Sequence, residues 1–367
     1  MLNKKENIRY SRHVSLDNVG IEGQLKLKRA KVLVVGAGGL GCPVLQYLAA
    51  AGVGNIGIVD GDKIDISNLQ RQVLYGIDDV GKYKSDVAKE KLLSLNNEIQ
   101  INSINIFLSR DNILSIIDGY DIVIDGSDNF ETRYLVNDAC IIKNKILVYG
   151  SIFKFEGQIS VFNYQSGPSL RCLYPEAPDP NSVPNCSEVG VIGVLPGIIG
   201  TIMASEAIKI ILDIGKVLSG KLLLMDVLNN HSIKLEIIRN NKNFERAELE
   251  ESYTFNCENV SPSESISPIE LNEWINSGKE FMLLDVRESY EREICLIESS
   301  ISIPLSKIQE SISKIPKDKT IVVYCHHGKR SQAAINQLKK ENFKNLINLE
   351  GGIHAWAMEI DSTISTY

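Results

Sequence analysis

Apolar residues occur in short runs that end at a glycine, an aspartate or a cysteine, and helical periodicity follows most of them. The clearest runs are 30–35, 55–59, 120–125 and 320–324. Short runs rich in Val and Ile that alternate with helices are typical of parallel sheets. The pattern therefore predicts an α/β protein whose polar functional residues follow the carboxyl ends of strands.

A longer apolar stretch, 189–204, is interrupted by glycine and proline and continues into Glu206 and Lys209. A membrane span needs about 20 predominantly apolar residues, so this stretch does not fit one. Pro196 suits the first turn of a helix. We therefore expect a buried helix from about Pro196 to Asp213.

A second start signal divides the chain. Ser267, Pro268 and Glu270 have the order of an N-cap, a first-turn proline and the N3 residue of a capping box. The preceding segment is rich in Asn, Glu and Ser and poor in apolar residues, which predicts a flexible linker spanning on the order of 30 Å. The predicted parts are a first domain, 1–238, a linker, 239–265, and a second domain, 266–367.

Composition excludes some classes of function. The 367-residue chain has 44% hydrophobic residues, a net charge of −7 and a pI near 5.5, so it lacks the basic field that nucleic acids require. Residues 1–9 have no apolar signal-peptide core. The seven cysteines include no C-x-x-C pair, which indicates reduced thiols and a cytoplasmic location. The negative charge and the interrupted apolar stretch predict that the chain has no nucleic-acid or membrane partner.

The run 30–35 leads into a G-x-G-x-x-G turn whose glycines are Gly36, Gly38, Gly39 and Gly41. Such a turn lets the backbone approach a phosphate at the start of the following helix. Asp60 ends the next strand, 24 residues after Gly36, and is well placed for ribose hydroxyls. The turn alone fits NAD and ATP equally well.

Charged residues beyond the turn favour cleavage of a nucleotide. The loop 60–72 contains Asn68 and Arg71, Lys84 follows it, and Asp128 comes after the run 120–125. Attack on a nucleotide phosphorus builds negative charge, which cations and a metal must stabilise. Asp128 is the candidate Mg²⁺ ligand. Each residue alone fits a solvated loop, but the set favours ATP.

A sulfur site is indicated near the other end of the chain. Cys325 follows the run 320–324, and four residues separate it from Arg330. A loop of backbone N–H groups closed by an arginine stabilises an anion. Phosphatases of this general type have five intervening residues, so the smaller ring suits a persulfide. The alternative is a buried cysteine that serves as a small apolar residue, but Gly328 and Arg330 do not fit a core.

Two resemblances follow from these motifs. The C-x4-R loop, with 285–288 and 351–356, resembles a rhodanese domain over about the last hundred residues. From about residue 9 to 238 the chain resembles the MoeB/ThiF family, the bacterial relatives of ubiquitin-activating enzymes. The matching motifs are Arg9-Tyr10-Ser11-Arg12, 36–41, 60–72, Lys84, Ser127-Asp128-Asn129 with Arg133, and Val183-Pro184-Asn185-Cys186.

The resemblances imply a Rossmann-like doubly wound sheet followed by a smaller α/β domain. They imply that ATP adenylates the terminal glycine of a ubiquitin-like sulfur carrier that ends in Gly-Gly. Asp60 would bind the ribose, Asp128 would bind Mg²⁺, and Arg12 would reach the nucleotide site of the partner in a homodimer. The phosphates would be bound by Asn68, Arg71 and Lys84.

The resemblances also assign two thiols. Cys325 would carry a persulfide from a cysteine desulfurase or another donor, with Arg330 in its loop. Cys186 would attack the activated or sulfur-loaded carrier. Relatives commonly hold structural zinc with two C-x-x-C pairs, but here only Cys172 stands at such a position and Ser169 replaces its partner. With three of four ligands missing, zinc is not expected.

Three alternatives stay open. The carrier of molybdopterin synthase is the first choice, because an adenylating domain with a C-terminal rhodanese domain most resembles the MoeB-rhodanese fusions, but a thiamine-thiazole carrier fits the same chemistry. An NAD-dependent oxidoreductase with a redox domain would leave Arg71, Lys84 and Asp128 without a role. A non-catalytic docking platform for a ubiquitin-like protein would leave two reactive-cysteine contexts unexplained.

Overall fold

An eight-stranded sheet forms the centre of the first of two units, Met1–Phe255. The computed structural model describes residues 1–177, 190–253 and 264–364. In chain order its strands β1 to β8 are Lys31–Val35, Asn55–Val59, Gln100–Ile104, Ile122–Asp125, Ile146–Phe153, Glu156–Phe162, Lys221–Asp226 and His231–Glu236. Their order in the sheet is β3-β2-β1-β4-β5-β6-β7-β8, parallel from β3 to β5 and antiparallel at each junction from β5 to β8.

The strand order reverses beside β1. The chain passes from β1 outward to β2 and β3 and then returns to place β4 on the other side of β1. Ligands of open α/β sheets bind at such a switch point, outside the carboxyl ends of the strands. The predicted Rossmann-like doubly wound fold is confirmed, and the antiparallel strands β6 to β8 extend it.

Helices cover the sheet of the first unit. The helix Val194–Leu212 packs against Gly41–Ala51 and against β5 and β6. Its length and composition would allow it to cross a membrane, but half of its most apolar window is buried inside the unit. The predicted core helix is present and begins two residues before Pro196. The other helices are Lys4–Arg9, Ser11–Val14, Gly20–Arg29, Lys84–Leu95, Ile113–Asp118, Phe130–Ile142 and Leu170–Leu173.

The prediction of a flexible linker over 239–265 is wrong for residues 239–253. Leu249 and Tyr253 are buried in the core of the first unit. The fully buried carboxylate of Asp138 accepts two hydrogen bonds of 2.8 Å from Arg171 and one of 2.8 Å from Tyr253. This segment docks because its apolar side chains pack into the core and its tyrosine hydroxyl donates to a buried carboxylate. Composition alone reveals neither contact.

The second unit, Asn256–Tyr367, contains a five-stranded parallel sheet. Its strands β9 to β13 are Glu264–Ile266, Met282–Asp285, Ile301–Ser302, Ile321–Tyr324 and Leu346–Leu349. Their order in the sheet is β11-β10-β12-β13-β9, which places β12 at the centre. The predicted capping box is confirmed: Ser267 Oγ accepts the Glu270 N–H, and the Glu270 carboxylate accepts the Ser267 N–H. The α-helices described in this unit are Pro268–Asn276, Ser289–Ile294, Ile308–Ser311, Lys329–Lys340 and Gly352–Glu359.

Candidate active sites

A cavity of about 300 Å³ lies at the switch point of the first sheet. The carboxyl ends of β1, β2 and β4 and the loops that follow them form its wall. Residues that are more than 90 positions apart in the chain therefore meet in one place. The predicted site residues that line it are Gly36, Gly38, Gly39, Asp60, Asn68, Arg71, Lys84 and Asp128.

Two glycines of the turn have distinct steric roles. Gly36 has a φ of +85°, a backbone conformation that L side chains rarely adopt. A Cβ on Gly41 would lie 1.9 Å from the carbonyl oxygen of Gly36. Gly41 thus allows the helix Gly41–Ala51 to start close to β1, while Gly38 and Gly39 line the cavity.

Asp60 is fixed at the end of β2 by backbone donors. Its Oδ2 accepts the Ala37 N–H at 2.8 Å, and its Oδ1 accepts the Asp62 N–H at 2.8 Å. Burial raises the pKa of Asp60, although Lys84 and the two N–H groups oppose that shift. The carboxylate is oriented before any ligand binds and retains acceptor capacity for hydroxyl groups.

The cationic residues lie along the loop after β2 and at the start of the next helix. Lys84 is only 7% exposed, and its Nζ donates to the exposed Asp62 carboxylate at 2.9 Å. Arg71 Nη1 donates to the Ser67 carbonyl at 3.0 Å. Asn68 Oδ1 accepts the Asp65 N–H at 3.2 Å and so holds the loop.

Asp128 is exposed on the loop after β4. The buried Arg133 supports this loop, because its Nη2 donates to the Ser127 carbonyl at 3.0 Å. Asp125 Oδ1 accepts the Ser127 N–H and hydroxyl at 3.0 and 2.6 Å. Burial raises the pKa of Asp125. A rigid buried base therefore presents the Asp128 carboxylate to the cavity.

The sequence did not single out two groups of cavity residues. Ile106, Phe107 and Leu108 line an apolar part of the wall after β3. Gln72 is 3% exposed, and its Oε1 has no hydrogen-bond partner among the described residues. The sequence could have indicated Phe107 as a site residue, because a short apolar run follows soon after β3. The burial of Gln72 depends on tertiary packing, so the sequence could not have indicated it.

The sequence also predicted roles for Arg12 and Cys186. Arg12 is exposed on the short helix Ser11–Val14 and does not line the cavity of its own chain. Cys186 lies outside the described residues.

Cys325 follows β12 in the second unit and is 1% exposed. Its Sγ accepts the Gly328 N–H at 3.2 Å and the Ser331 hydroxyl at 3.5 Å. Gly328 has a φ of +91° and precedes the helix Lys329–Lys340. The loop thus directs an N–H group and a helix N-terminus to the sulfur, as an anionic persulfide requires.

Arg330 contacts a carboxylate next to the loop. Its two terminal nitrogens donate to Glu291 at 2.6 and 2.7 Å, and Glu291 is 2% exposed. Glu291 also accepts the Glu288 N–H at 2.9 Å and so belongs to the start of the helix Ser289–Ile294. The motif 285–288 therefore positions the arginine through Glu291, a partner that the sequence did not indicate.

Three histidines lie beside Cys325. The rings of His326 and His327 stack with centroids 4.1 Å apart, and His354 lies 4.9 Å from His327. Burial, then the neighbouring His327 and His354, lowers the pKa of His326 to about 4. In the sequence His354 belongs to the motif 351–356, and the pairing of β13 with β12 brings it to the loop.

Cys172 has hydrogen-bond donors where relatives are expected to have zinc ligands. Its Sγ accepts the N–H of Ser169 at 3.4 Å, the N–H of Asn240 at 3.3 Å and the side-chain amide of Asn243 at 3.4 Å. Partial burial by itself raises the pKa of Cys172, but these hydrogen bonds outweigh it and hold the pKa below its usual value. Hydrogen-bond donors, rather than further cysteines, thus stabilise the thiolate form of Cys172.

Comparison with known proteins agrees with this two-part organisation. The chain matches the ThiF family over residues 10–247 and the rhodanese-like domain over residues 267–359. The probable adenylyltransferase/sulfurtransferase MoeZ of Mycobacterium tuberculosis is 42% identical, with 100% of this chain and 96% of the relative covered. The adenylyltransferase and sulfurtransferase MOCS3 of Culex quinquefasciatus is 39% identical, with 100% and 90% covered.

Further similarities include a third curated relative and solved structures. A probable molybdopterin-synthase adenylyltransferase of Porphyra purpurea is 42% identical, with 96% of this chain and 93% of the relative covered. The crystal structure of E. coli MccB with AMPCPP and MccA is 26% identical with a TM-score of 0.57, covering 65% of this chain and 74% of MccB. The chain therefore belongs to the ThiF family, carries a rhodanese-like domain, and is an adenylyltransferase and sulfurtransferase.

Proposed function

We propose that this enzyme adenylates the C-terminal glycine of a small ubiquitin-like sulfur carrier and then converts that glycine to a thiocarboxylate. The observation that carries the proposal is the meeting of Arg71, Lys84 and Asp128 with the glycine turn in one cavity. An NAD pyrophosphate is held without cleavage and needs only a helix N-terminus and backbone N–H groups. The oxidoreductase alternative therefore leaves the three charged residues without a role.

The cavity residues fit ATP. Asp60 binds the ribose hydroxyls, and the apolar segment 106–108 suits the adenine base. Lys84 is paired with the exposed Asp62, a partner that phosphate oxygens can replace. Asn68 and Arg71 bind the phosphates from the same loop. Asp128 would hold Mg²⁺, which supplies the charge that neutralises the departing pyrophosphate.

Adenylation makes the carrier carboxylate reactive. A carboxylate oxygen attacks the α-phosphorus of ATP, the bond to the bridging oxygen breaks, and pyrophosphate leaves. The resulting acyl-adenylate has AMP as a good leaving group, so its carbonyl carbon accepts a sulfur nucleophile. Arg71 and Lys84 stabilise the charge that develops on the phosphates during this step.

Sulfur transfer then involves the two thiols. The terminal sulfur of a Cys325 persulfide attacks the carbonyl carbon, AMP leaves, and an acyl disulfide joins the carrier to Cys325. The Cys186 thiolate attacks the Cys325 sulfur, which releases the carrier thiocarboxylate and leaves a disulfide between the two cysteines. A dithiol reductant restores both thiols. Arg330 supports the loop that holds the persulfide.

The partners follow from this chemistry. The small subunit of molybdopterin synthase is the favoured carrier, supported by the name of the Porphyra relative. A thiamine-thiazole carrier would undergo the same steps. We further propose that a cysteine desulfurase or another sulfur donor loads Cys325. Arg12, which is exposed, would complete the partner's nucleotide site in a cytoplasmic homodimer.

Pyrophosphate exchange tests the adenylation step. Purified protein is incubated with ATP, labelled pyrophosphate and candidate carriers ending in Gly-Gly, with and without Mg²⁺. Label should enter ATP only when both carrier and Mg²⁺ are present. Tight NADH binding without exchange for any such carrier would instead support the oxidoreductase. Mass spectrometry of the carriers that copurify distinguishes a molybdopterin carrier from a thiazole carrier.

A further inference from the structure

Three of the five histidines of the chain lie together in the second unit. His326 and His327 directly follow Cys325, whereas His354 lies on the helix Gly352–Glu359. The His354 N–H donates to the His326 carbonyl at 3.1 Å, and the Ile353 N–H donates to the Cys325 carbonyl at 2.9 Å. These two backbone hydrogen bonds fix the third histidine against the sulfur loop.

The ring nitrogens are close enough to share a ligand. One nitrogen from each of the three histidines lies within 4.8 Å of the other two. His354 Nδ1 is buried and has no hydrogen-bond partner among the described residues. Nitrogens bound to one zinc ion at about 2 Å are about 3.3 Å apart. Small side-chain rotations, which the exposed His327 can make, close that difference.

We propose that His326, His327 and His354 bind one divalent transition-metal ion, with Zn²⁺ as the best fit, beside the Cys325 loop. Three imidazoles and one open position are a known zinc ligand set, and imidazole nitrogen selects Zn²⁺, Ni²⁺ or Cu²⁺ over Mg²⁺ and Ca²⁺. Cys325 is almost fully buried, and His326 and His327 directly follow it, so an ion bound to these histidines lies next to the loop that holds the sulfur. The bound ion therefore blocks persulfide formation, a consequence that rests on the sulfur transfer proposed above.

A cobalt titration tests the site. The full chain is treated with EDTA, desalted and titrated with Co²⁺ while visible absorption is recorded. One Co²⁺ per chain should bind with the spectrum of a four-coordinate ion. His327→Gln and His354→Gln should each weaken binding at least about tenfold, whereas His231→Gln, at the exposed start of β8, should bind as the wild type does. Circular dichroism confirms that each variant is folded.

Two results would overturn the site: binding that survives His354→Gln, and binding that is lost in Cys325→Ser while the histidine variants keep it.

Zinc inhibition supplies a second readout. Zn²⁺ should inhibit sulfur transfer from thiosulfate to cyanide in the wild type and much less in His327→Gln, compared as rates with and without Zn²⁺ for each protein. Equal inhibition of both proteins contradicts the location. Failure of metal-free wild type to transfer sulfur contradicts the proposed function instead, and the Co²⁺ titration still decides the metal site.

Discussion

The glycine turn after β1 and the Cys325 loop after β12 both follow a central parallel strand and lead into a helix. They differ in how the rest of each site is assembled. The nucleotide cavity is lined by residues from several strand ends and loops, between Val35 and Val191. The sulfur loop supplies its donors to Cys325 from Gly328 and Ser331, within six residues.

This difference follows from the size of the ligand. A single sulfur atom is surrounded by one turn of backbone, so the site is continuous in the chain. A nucleotide triphosphate spans the crevice between strands, and its charge needs cations from several loops. The two sites should therefore respond independently to substitution, and four experiments test that independence.

Replacing Cys325 should give the largest effect. In Cys325→Ala, labelled sulfur transfer from thiosulfate or a desulfurase should fall below detection, because the only sulfur in the loop is removed. Carrier-dependent pyrophosphate exchange should remain at the wild-type rate. Cys295→Ala, a change to another thiol of the same unit, should retain both activities. A persulfide detected by mass spectrometry on Cys186, with Cys325 unmodified in the wild type, would reverse the assignment.

Replacing Asp128 should give the opposite result. Asp128→Ala should lower pyrophosphate exchange at least about 100-fold, the scale for removal of one group that stabilises transition-state charge. Persulfide formation on Cys325 should not change. The matched control is Asp111→Ala, which removes an exposed carboxylate of the same unit that does not line the cavity. Normal exchange in Asp128→Ala would exclude this residue as the Mg²⁺ ligand.

Replacing Cys186 should have a partial effect that connects the two sites. Cys186→Ala should retain both exchange and persulfide formation, because neither step needs its thiol. Release of the thiocarboxylate should slow, and a disulfide between carrier and Cys325 should accumulate in non-reducing mass spectra. Cys172→Ser serves as the control for a second thiol. Unchanged release in Cys186→Ala would show that another reductant resolves the disulfide.

Chelation should have the smallest effect. A structural zinc contributes folding free energy, so its removal lowers the Tm. In the first unit, Cys172 is held by hydrogen bonds from Ser169, Asn240 and Asn243. In His354→Gln, which lacks the proposed histidine site, EDTA should therefore leave the Tm and the pyrophosphate exchange of Mg²⁺-repleted protein unchanged. A clear drop in Tm would identify a structural metal.

Local signals determined much of the fold. The run 55–59 became β2 with the same bounds, and the capping box at Ser267 starts its helix as predicted. The Cys325 loop could also be identified from consecutive residues. Strand propensity, capping and tight turns depend on neighbours within a few positions, so they can be read directly from the chain.

Long-range packing decided the rest. The segment 239–253 looks like a linker in composition, but it docks because Tyr253 reaches Asp138, which lies on the helix Phe130–Ile142. His354 reaches the sulfur loop because β13 lies next to β12. The sequence by itself determined which residues carry charge, sulfur and backbone freedom. Only the tertiary structure, through strand order and the packing of helices and loops, decided which of them meet, because contacts between distant segments depend on the whole core.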